Sequence, residues 1–366
     1  MNVKCTECGN VETFAPVKWC CDCGGCWEQA ENISFDHSMI KTKTWSVFRY
    51  GSLMELDFEK PYFDSGVGWT PIVSCRIDCR NVLLKLDYLT PTGSFKDRGV
   101  SVVVNSLYCQ GVKGIVDDSS GNAGASLALF ASAMGIKTDI FVPDYCSPAK
   151  IKQITCAGAR VHLVARGRLE AGRMARQAVN RTHIYASHVY HPAFTTGQQT
   201  LAFELWEQLK GKMPDVIVCP VAQGGGLLGL WHGLEKLMSA GYINKIPRLI
   251  AVQTKQVSPL VEAFKANADE VKAVLPKFTI AEGVAVSNPV RGKRILEALR
   301  RLNGCAVAVE DEEILAAQKR LAQLGYWVEL TSATVVAALI KYKYCFGKDE
   351  NVMLYMTSHG LKSIEN

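Results

Sequence analysis

The stretch Gly114–Ile136 reads GIVDDSSGNAGASLALFASAMGI. A short β-branched run ends in two aspartates, small polar residues follow, and apolar residues then recur at three- and four-residue spacing. That pattern predicts a buried strand, a tight loop and a helix starting near Ala123. The alternation continues outward in both directions. NVLLKLD before it, and TDIFVP, ARVHLVA, VIVCPVA, LIAVQT and NVMLYMTS after it, read as further strands separated by helical patterns. SFKDRGVSVVVNSLYCQG reads as the helix that precedes the quoted stretch. Continuous apolar strands alternating with helices predict an α/β fold whose parallel sheets are covered on both faces. In such a fold the loops after strand C-termini carry the ligand sites.

Composition narrows the function classes. The chain has 366 residues, 48% hydrophobic, enough for two lobes and an appendage. Its 41 Lys and Arg against 35 Asp and Glu leave +6, too mild and scattered to predict nucleic-acid binding but suited to small anionic substrates. No run reaches the roughly 18 apolar residues of a membrane span, and the start MNVKCTECGN lacks the apolar core of a secretory signal. Of 14 cysteines, six fall within the first 26 residues and the rest are scattered singly. This distribution predicts a metal site plus buried thiols in a reducing, cytoplasmic compartment rather than a disulfide framework. Cys5-x-x-Cys8 pairs with Cys21-x-Cys23, Cys20-x-x-Cys23 or Cys23-x-x-Cys26, spacings that suit a closed, structural zinc held by thiolates in a ribbon-like knuckle. A nucleic-acid-reading finger would need a helix with basic base-reading positions, which this unit lacks.

Three strand-end loops and one lysine carry chemistry. In TPTGSFKDRGV, Lys96 sits at the expected first turn of a helix. A lysine that must lose its proton and form an imine needs such a fixed backbone, partial desolvation and a neighbour of controlled charge. In DDSSGNAGASLA, Ser119, Ser120, Gly121 and Asn122 let backbone N–H groups point at a carboxylate; a tight turn capped by Ser and Asn is the plainer reading. In CPVAQGGGLLG, Gly224, Gly225 and Gly226 are costly in chain entropy, and a phosphate cradled by their N–H groups would justify them. In LYMTSHGLKS, Thr357 and Ser358 end a strand with hydroxyls that suit a heterocycle nitrogen. Together these match the needs of pyridoxal phosphate: Lys96 for the aldehyde, the glycines for the phosphate, Asn122 for the 3′-oxygen, Thr357 or Ser358 for the ring nitrogen.

PTGSFKDRG, SSGNAGASLA, GGGLLG and TSHGLK, in this order, resemble threonine synthase and its relatives among the fold-type II pyridoxal-phosphate enzymes. VPDYCSPAKIKQITCAGARV, TTGQQTLAFEL and the opening CTECG…CCDCGG extend the likeness over nearly the whole chain. The resemblance implies two parallel-sheet lobes plus an N-terminal zinc-ribbon-like knuckle. The expected organisation is 1–30 for that knuckle, 31–75 with 166–366 for a large cofactor-binding lobe, and 76–165 for a small mobile lobe. It also implies that Lys96 is the Schiff-base lysine and proton shuttle, that Asn122 bonds the cofactor's 3′-oxygen and that Thr357 bonds its ring nitrogen. A neutral hydroxyl there favours elimination and replacement over transamination. Ser119 and Ser120 would hold the substrate carboxylate, and Arg98 would clamp a leaving phosphate, its alternative being a helix-surface ion pair with Asp97 or a neighbouring acid. Cys21 and Cys23 become the second metal pair beside Cys5 and Cys8. A homodimer acting on a small amino acid is expected.

Four segments depart from the family pattern. GVGWTP has Val67 where G-E-G-x-T-P carries an acid, and GVAVSNP has Ala285 where A-I-R-I-G-N-P carries an arginine. Ala222 and Gln223 enter the phosphate loop where glycine is common at the first, and Leu330 replaces a frequent proline. Threonine synthase activity on O-phosphohomoserine leads the expectations. β-Elimination or β-replacement on serine, phosphoserine, threonine or diaminopropionate (a dehydratase or a cysteate synthase-like enzyme) is the alternative, and a non-catalytic binding subunit the third.

Overall fold

The computed structural model describes residues 1–366 except 31, 32, 57, 147, 166 and 364–366. Three short strands, β1 (Asn2–Cys5), β2 (Val11–Thr13) and β3 (Trp27–Gln29), open the chain. The strands β4 (Ile72–Ile77) and β5 (Arg80–Leu86) form a hairpin, followed by α1 (Lys96–Cys109). The stretch first quoted becomes β6 (Gly114–Asp117) and α2 (Asn122–Ala133). Alternation continues through β7 (Lys137–Pro143), α3 (Pro148–Thr155), β8 (Arg160–Val164), α4 (Arg168–Gln177), β9 (His183–Tyr185) and α5 (Pro192–Gln208). Next come β10 (Val216–Pro220), α6 (Gly225–Ser239), β11 (Arg248–Thr254), α7 (Pro259–Lys265) and α8 (Gly292–Arg301). The chain ends with β12 (Cys305–Val309), α9 (Asp311–Gln323), α10 (Leu330–Lys341) and β13 (Val352–Met356).

Two compact units divide the chain: Met1–Trp69 with Lys96–Thr200, and Thr70–Phe95 with the chain from Leu201 on. The divisions fall at 69, 95 and 200. Strand pairing explains where residues 70–95 go. The strand β5 runs parallel to β13 with Val82 opposite Val352, which ties residues 70–95 to the C-terminal sheet. The expected boundaries at 31 and 166 lie outside the described residues.

The first unit holds an antiparallel sheet ordered β2-β1-β3 and a parallel sheet ordered β8-β7-β6-β9. From β6 the chain steps through β7 to β8 on one side, then returns to place β9 on the other. The second unit holds a six-stranded sheet ordered β12-β11-β10-β13-β5-β4, parallel except for the β4–β5 hairpin. Here too the direction reverses, between β10 and β13. Such reversal points open a crevice at strand C-termini. They fall at the loops that carry Ser119–Asn122, Gly224–Gly226 and Thr357.

Side-chain pattern accounts for the core. All four residues of β6 and all five of β13 are buried, as parallel strands covered on both faces require. In α10, LTSATVVAALIK is apolar nearly all round, and it is buried from Thr331 to Leu339 against β10–β13. Each fully buried Val or Leu there contributes about 1.5–3 kcal/mol. Among the described residues no helix is long and apolar enough to cross a membrane.

Candidate active site

In the first unit the C-terminal ends of β6 and β9 gather ionisable groups. Lys96 opens α1 with its ammonium 5.5 Å from the centre of the Phe194 ring. Part of its surface stays accessible, yet burial of the amine pushes it down to about 8, against the raising pull of Asp117 and with help from Arg168. Asp97 is fully buried and accepts a 2.6 Å bond from Ser126 Oγ, locking α1 to α2. Arg98 is also fully buried, with Nη1 3.4 Å from Thr200 Oγ1 and beside Gly68 of the GVGWTP segment. The expected alternative for Arg98, a helix-surface ion pair with Asp97, is overturned because neither side chain reaches the surface.

The β6 loop is clasped onto the start of α2. Asp117 Oδ2 accepts the Ser119 N–H at 3.2 Å, and Tyr185 at the end of β9 donates its hydroxyl to Asp118 Oδ1 at 2.7 Å. A Cβ on Gly124 would stand 1.9 Å from the Ser119 carbonyl oxygen, so only glycine allows this close approach. Ser119 is buried; Ser120 and Asn122 are half-buried, and Asn122 is the first residue of α2. The first N–H groups of a helix have no partner within it, which suits an anion held by this loop.

In the second unit the corresponding strand ends carry glycines and hydroxyls. Gly224 caps α6 in the left-handed region at φ +82°, and a Cβ there would lie 2.3 Å from Ile295 Cδ1. A Cβ on Gly226 would lie 2.8 Å from Phe95 Cε2. The N-cap residue, Gly224, has no side chain to cap α6, so Gly224–Gly226 offer backbone N–H groups at the positive end of a 15-residue helix. Thr357, just beyond β13, is buried, with Oγ1 3.0 Å from Ser332 Oγ, while Ser332 Oγ also accepts the N–H groups of Thr357 at 3.0 Å and Ser358 at 2.8 Å. The Thr357 carbonyl accepts the Phe95 N–H at 2.8 Å, pinning the residue before Lys96. Sequence reasoning missed Ser332; its signal was a hydroxyl-rich TSAT turn opening an otherwise apolar helix.

Deeper in the second unit, Lys85 on β5 is fully buried. It donates to Glu204, to the Thr70 carbonyl at 2.7 Å and to Gln208 Oε1 at 2.9 Å. Thr70 Oγ1 and Tyr355 Oη each donate to Asp87 at 2.7 Å. NVLLKLD was legible as a strand, but not as one that buries its lysine.

In the N-terminal sheet the sulfurs of Cys5, Cys8, Cys21 and Cys23 all lie within 4.8 Å of one another. Cys5 and Cys23 are 3.4 Å apart, and Cys8 and Cys21 3.6 Å. Four thiolates at about 2.3 Å from a tetrahedral zinc would be about 3.7 Å apart, so the donor set fits. Cys26 instead turns its Sγ to the Val189 carbonyl at 3.7 Å. Trp19 packs edge-on against Tyr185 and Tyr190 at 5.1 and 4.7 Å, seating the cysteine-bearing sheet beside the β9 loop.

The sequence pattern of the pyridoxal-phosphate dependent enzyme family matches residues 63–358, the span that contains all of these strand-end loops. The chain belongs to that family. Threonine synthase of Methanocaldococcus jannaschii is 31% identical over 98% of this chain and 92% of its own length. That of Methanosarcina acetivorans is 32% identical over 99% and 92%. Among solved structures, a threonine deaminase from T.th. superposes with a TM-score of 0.68 at 25% identity, covering 82% of this chain and 94% of the deaminase. The protein is thus a threonine synthase-like, fold-type II member of the pyridoxal-phosphate-dependent enzymes, and a lyase. Its departures from the family pattern have clear settings. Val67 is 1% exposed and its carbonyl accepts the Val47 N–H at 2.6 Å, so no acid is missing from an open surface. Ala285 follows a short 3-10 turn, Glu282–Val284, whose Gly283 N–H donates to Thr331 Oγ1 at 3.2 Å. Leu330 takes the first position of α10, where a proline would also have been accepted.

Proposed function

We propose that the protein is a threonine synthase, converting O-phosphohomoserine and water into threonine and phosphate. One observation carries the reading. The two archaeal threonine synthases align with 98% and 99% of the chain, the cysteine-bearing start included, whereas the deaminase structure covers 82%. In this reading Lys96 holds the cofactor and moves protons at the substrate's α and β carbons. Its lowered proton affinity, mainly from burial, supports that task. Gly224–Gly226 hold the cofactor phosphate with the N–H groups that open α6, at the positive end of its helix dipole. Asn122 bonds the 3′-oxygen and Thr357, oriented by Ser332, bonds the ring nitrogen. Pyridoxal phosphate bound there supplies the electron sink. Ser119, Ser120 and the N-terminus of α2 orient the substrate carboxylate. Arg98, buried against Gly68, serves the leaving phosphate by way of the GVGWTP segment.

The same reading gives Cys5, Cys8, Cys21 and Cys23 a structural zinc, closed to substrate, in a ribbon-like knuckle. It makes the protein a cytoplasmic homodimer that acts on a small amino acid.

Val67 and Ala285 favour a second reading, β-elimination or β-replacement on a three-carbon or serine-type substrate, because both replace charged family residues with apolar ones. Purified protein is mixed with O-phosphohomoserine, phosphoserine, serine and threonine while cofactor absorbance, phosphate and threonine are followed. Phosphate and threonine from O-phosphohomoserine alone are expected, abolished by Lys96→Ala. A response to serine or phosphoserine without turnover of O-phosphohomoserine would overturn the first reading for the second.

A further inference from the structure

The cysteine-bearing sheet places one aromatic side chain outside its own core. That core is Val3, Phe14 and Trp27 with Cys5 and Cys21, too small to keep its shape without the metal that the four cysteines fit. Trp19, two residues before Cys21, is held from within: the Trp27 indole N–H donates to the Lys18 carbonyl at 3.0 Å, and the Cys21 N–H to the Gly25 carbonyl at 3.0 Å. The Trp19 ring packs edge-on to Tyr185 and Tyr190, against the small core that Val116, Phe141, Val164, Ala171 and Tyr185 form under α4. Tyr185 is 2% exposed and donates its hydroxyl to Asp118 Oδ1 at 2.7 Å. The other Asp118 oxygen lies against α4, where a Cβ on Gly172 would stand 2.9 Å from it. Asp118 is thereby boxed between β9 and α4, immediately before Ser119. Farther along, the Phe14 ring lies 4.9 Å from His191, and Thr196 Oγ1 donates to Gln29 Oε1 at 3.4 Å, seating the same sheet on the start of α5.

We propose that Tyr185 is a positioning residue for the Ser119–Asn122 loop and that the cysteine knuckle is its clamp. The cysteines fix Trp19, Trp19 fixes the Tyr185 ring, and the Tyr185 hydroxyl fixes Asp118 at the entry of the loop. This rests on two parts of the reading above: a substrate carboxylate received by this loop, and a metal held by Cys5, Cys8, Cys21 and Cys23. A loop that presents several N–H groups to one carboxylate works only from a fixed geometry. The hydrogen bond to the Asp118 carboxylate is charge-assisted, the stronger kind. Emptying the knuckle frees Trp19 and removes one wall from Tyr185. It leaves the parallel sheet formed, because β6 to β9 pair without any residue of the knuckle.

The test reads the loop without any cofactor. The full chain is compared zinc-loaded, stripped with a chelator under reducing conditions, and zinc-restored. Hydrogen–deuterium exchange is followed in the peptide Gly114–Leu127, with the β10–α6 peptide of the second unit as reference. Tyr185→Phe removes the hydroxyl and keeps the ring, Trp19→Ala removes the contact and keeps the cysteines, and Asp118→Asn keeps an acceptor oxygen. Stripping, Trp19→Ala and Tyr185→Phe should each speed exchange of the loop peptide about tenfold, and Asp118→Asn should stay near native. Restored zinc should reverse the stripping, and the reference peptide should not change. An unmoved loop peptide in Tyr185→Phe, or an equal change in the reference peptide, overturns the proposal. In the pyridoxal-phosphate-loaded chain, Tyr185→Phe should need about fivefold more O-phosphohomoserine or serine for half of the absorbance response and reach the native final spectrum. Both probes carry the carboxylate, so the outcome does not depend on which one is turned over. A loosened loop with an unmoved half-response sinks the carboxylate reading and leaves the Tyr185 clamp standing. A chain that binds no zinc yet loosens in Tyr185→Phe and Trp19→Ala sinks the metal reading alone.

Discussion

The strand ends of the two parallel sheets sit at equivalent points of similar topology and carry opposite chemistry. At β6 and β9 stand Asp117, Asp118 and Tyr185, with Lys96 opening the helix beside them. At β10 and β13 stand glycines and the hydroxyls of Thr357, Ser358 and Ser332. Topology thus fixes where ligands can bind, and side chains decide what is done there. The second unit does own buried charges, but Lys85 is met by Glu204, Gln208 and a carbonyl, so every donor is accounted for. Asp117 keeps one oxygen with no hydrogen-bond donor among the described residues. A fully partnered buried charge serves the fold, whereas a half-partnered one whose proton affinity lies near neutrality can serve chemistry.

The largest effect expected from this contrast is on the partnered charges. Glu204→Gln leaves the Lys85 ammonium buried without its anion and should cost about 3–5 kcal/mol in urea unfolding. Replacing both residues by apolar ones of similar volume, Lys85→Met with Glu204→Leu, should recover most of that loss. A loss below about 1 kcal/mol in the single variant would show that the ion pair is not the staple described. A smaller effect is expected at the phosphate loop. Gly224→Ala combines a left-handed backbone with a Cβ 2.3 Å from Ile295, whereas Gly135→Ala has φ +68° and open space around it. Both should lose about 1–2 kcal/mol of stability to backbone strain. Only Gly224→Ala should also weaken retention of pyridoxal phosphate, by about tenfold or more, in equilibrium dialysis followed by absorbance. Equal retention in the two variants would break the assignment of that loop.

How legible this was in the sequence depended on how local the cause was. The helix start at Lys96, the β6 strand and loop, and the Gly224–Gly226 turn each rest on neighbouring residues, and each was readable. The strands β4, β9 and β12 escaped: one is an edge strand of mixed burial, one has only three residues, and CAVAV is built from small side chains with little β signature. Roles that arise between distant segments were invisible. Ser332 meets Thr357 across 25 positions, and Lys85 meets Glu204 across 119. Asp117 and Asp118 stood in plain view as a pair, but only the fold shows that Tyr185 engages the second and leaves the first. Arg98 was legible as a functional candidate, yet its complete burial was not, because KDRG taken alone reads as an exposed first turn.

A further effect tests the half-partnered charge by pH. Asp117 has an ordinary value of 3.8 and stands at about 7 in the folded chain, chiefly through burial. Between those values the folded chain holds a proton that the unfolded chain has released, so this contribution is complete below pH 3.8 and is lost as pH rises through 7. Lys96 runs the other way, from 10.5 to about 8: above pH 10.5 its contribution is complete, and it is lost as pH falls through 8. The two limbs leave a shallow minimum in this site's contribution between pH 7 and 8. Urea midpoints of the native chain and of Asp117→Asn, measured from pH 5 to 7, isolate the lower limb because Lys96 is still largely a cation in both chains there. The variant should gain about 2 kcal/mol relative to the native chain between pH 5 and 7. A difference between native and Asp117→Asn that is flat with pH would mean that Asp117 is already paired in solution, and the contrast between the two sheets' strand ends would then rest on the glycines and hydroxyls alone.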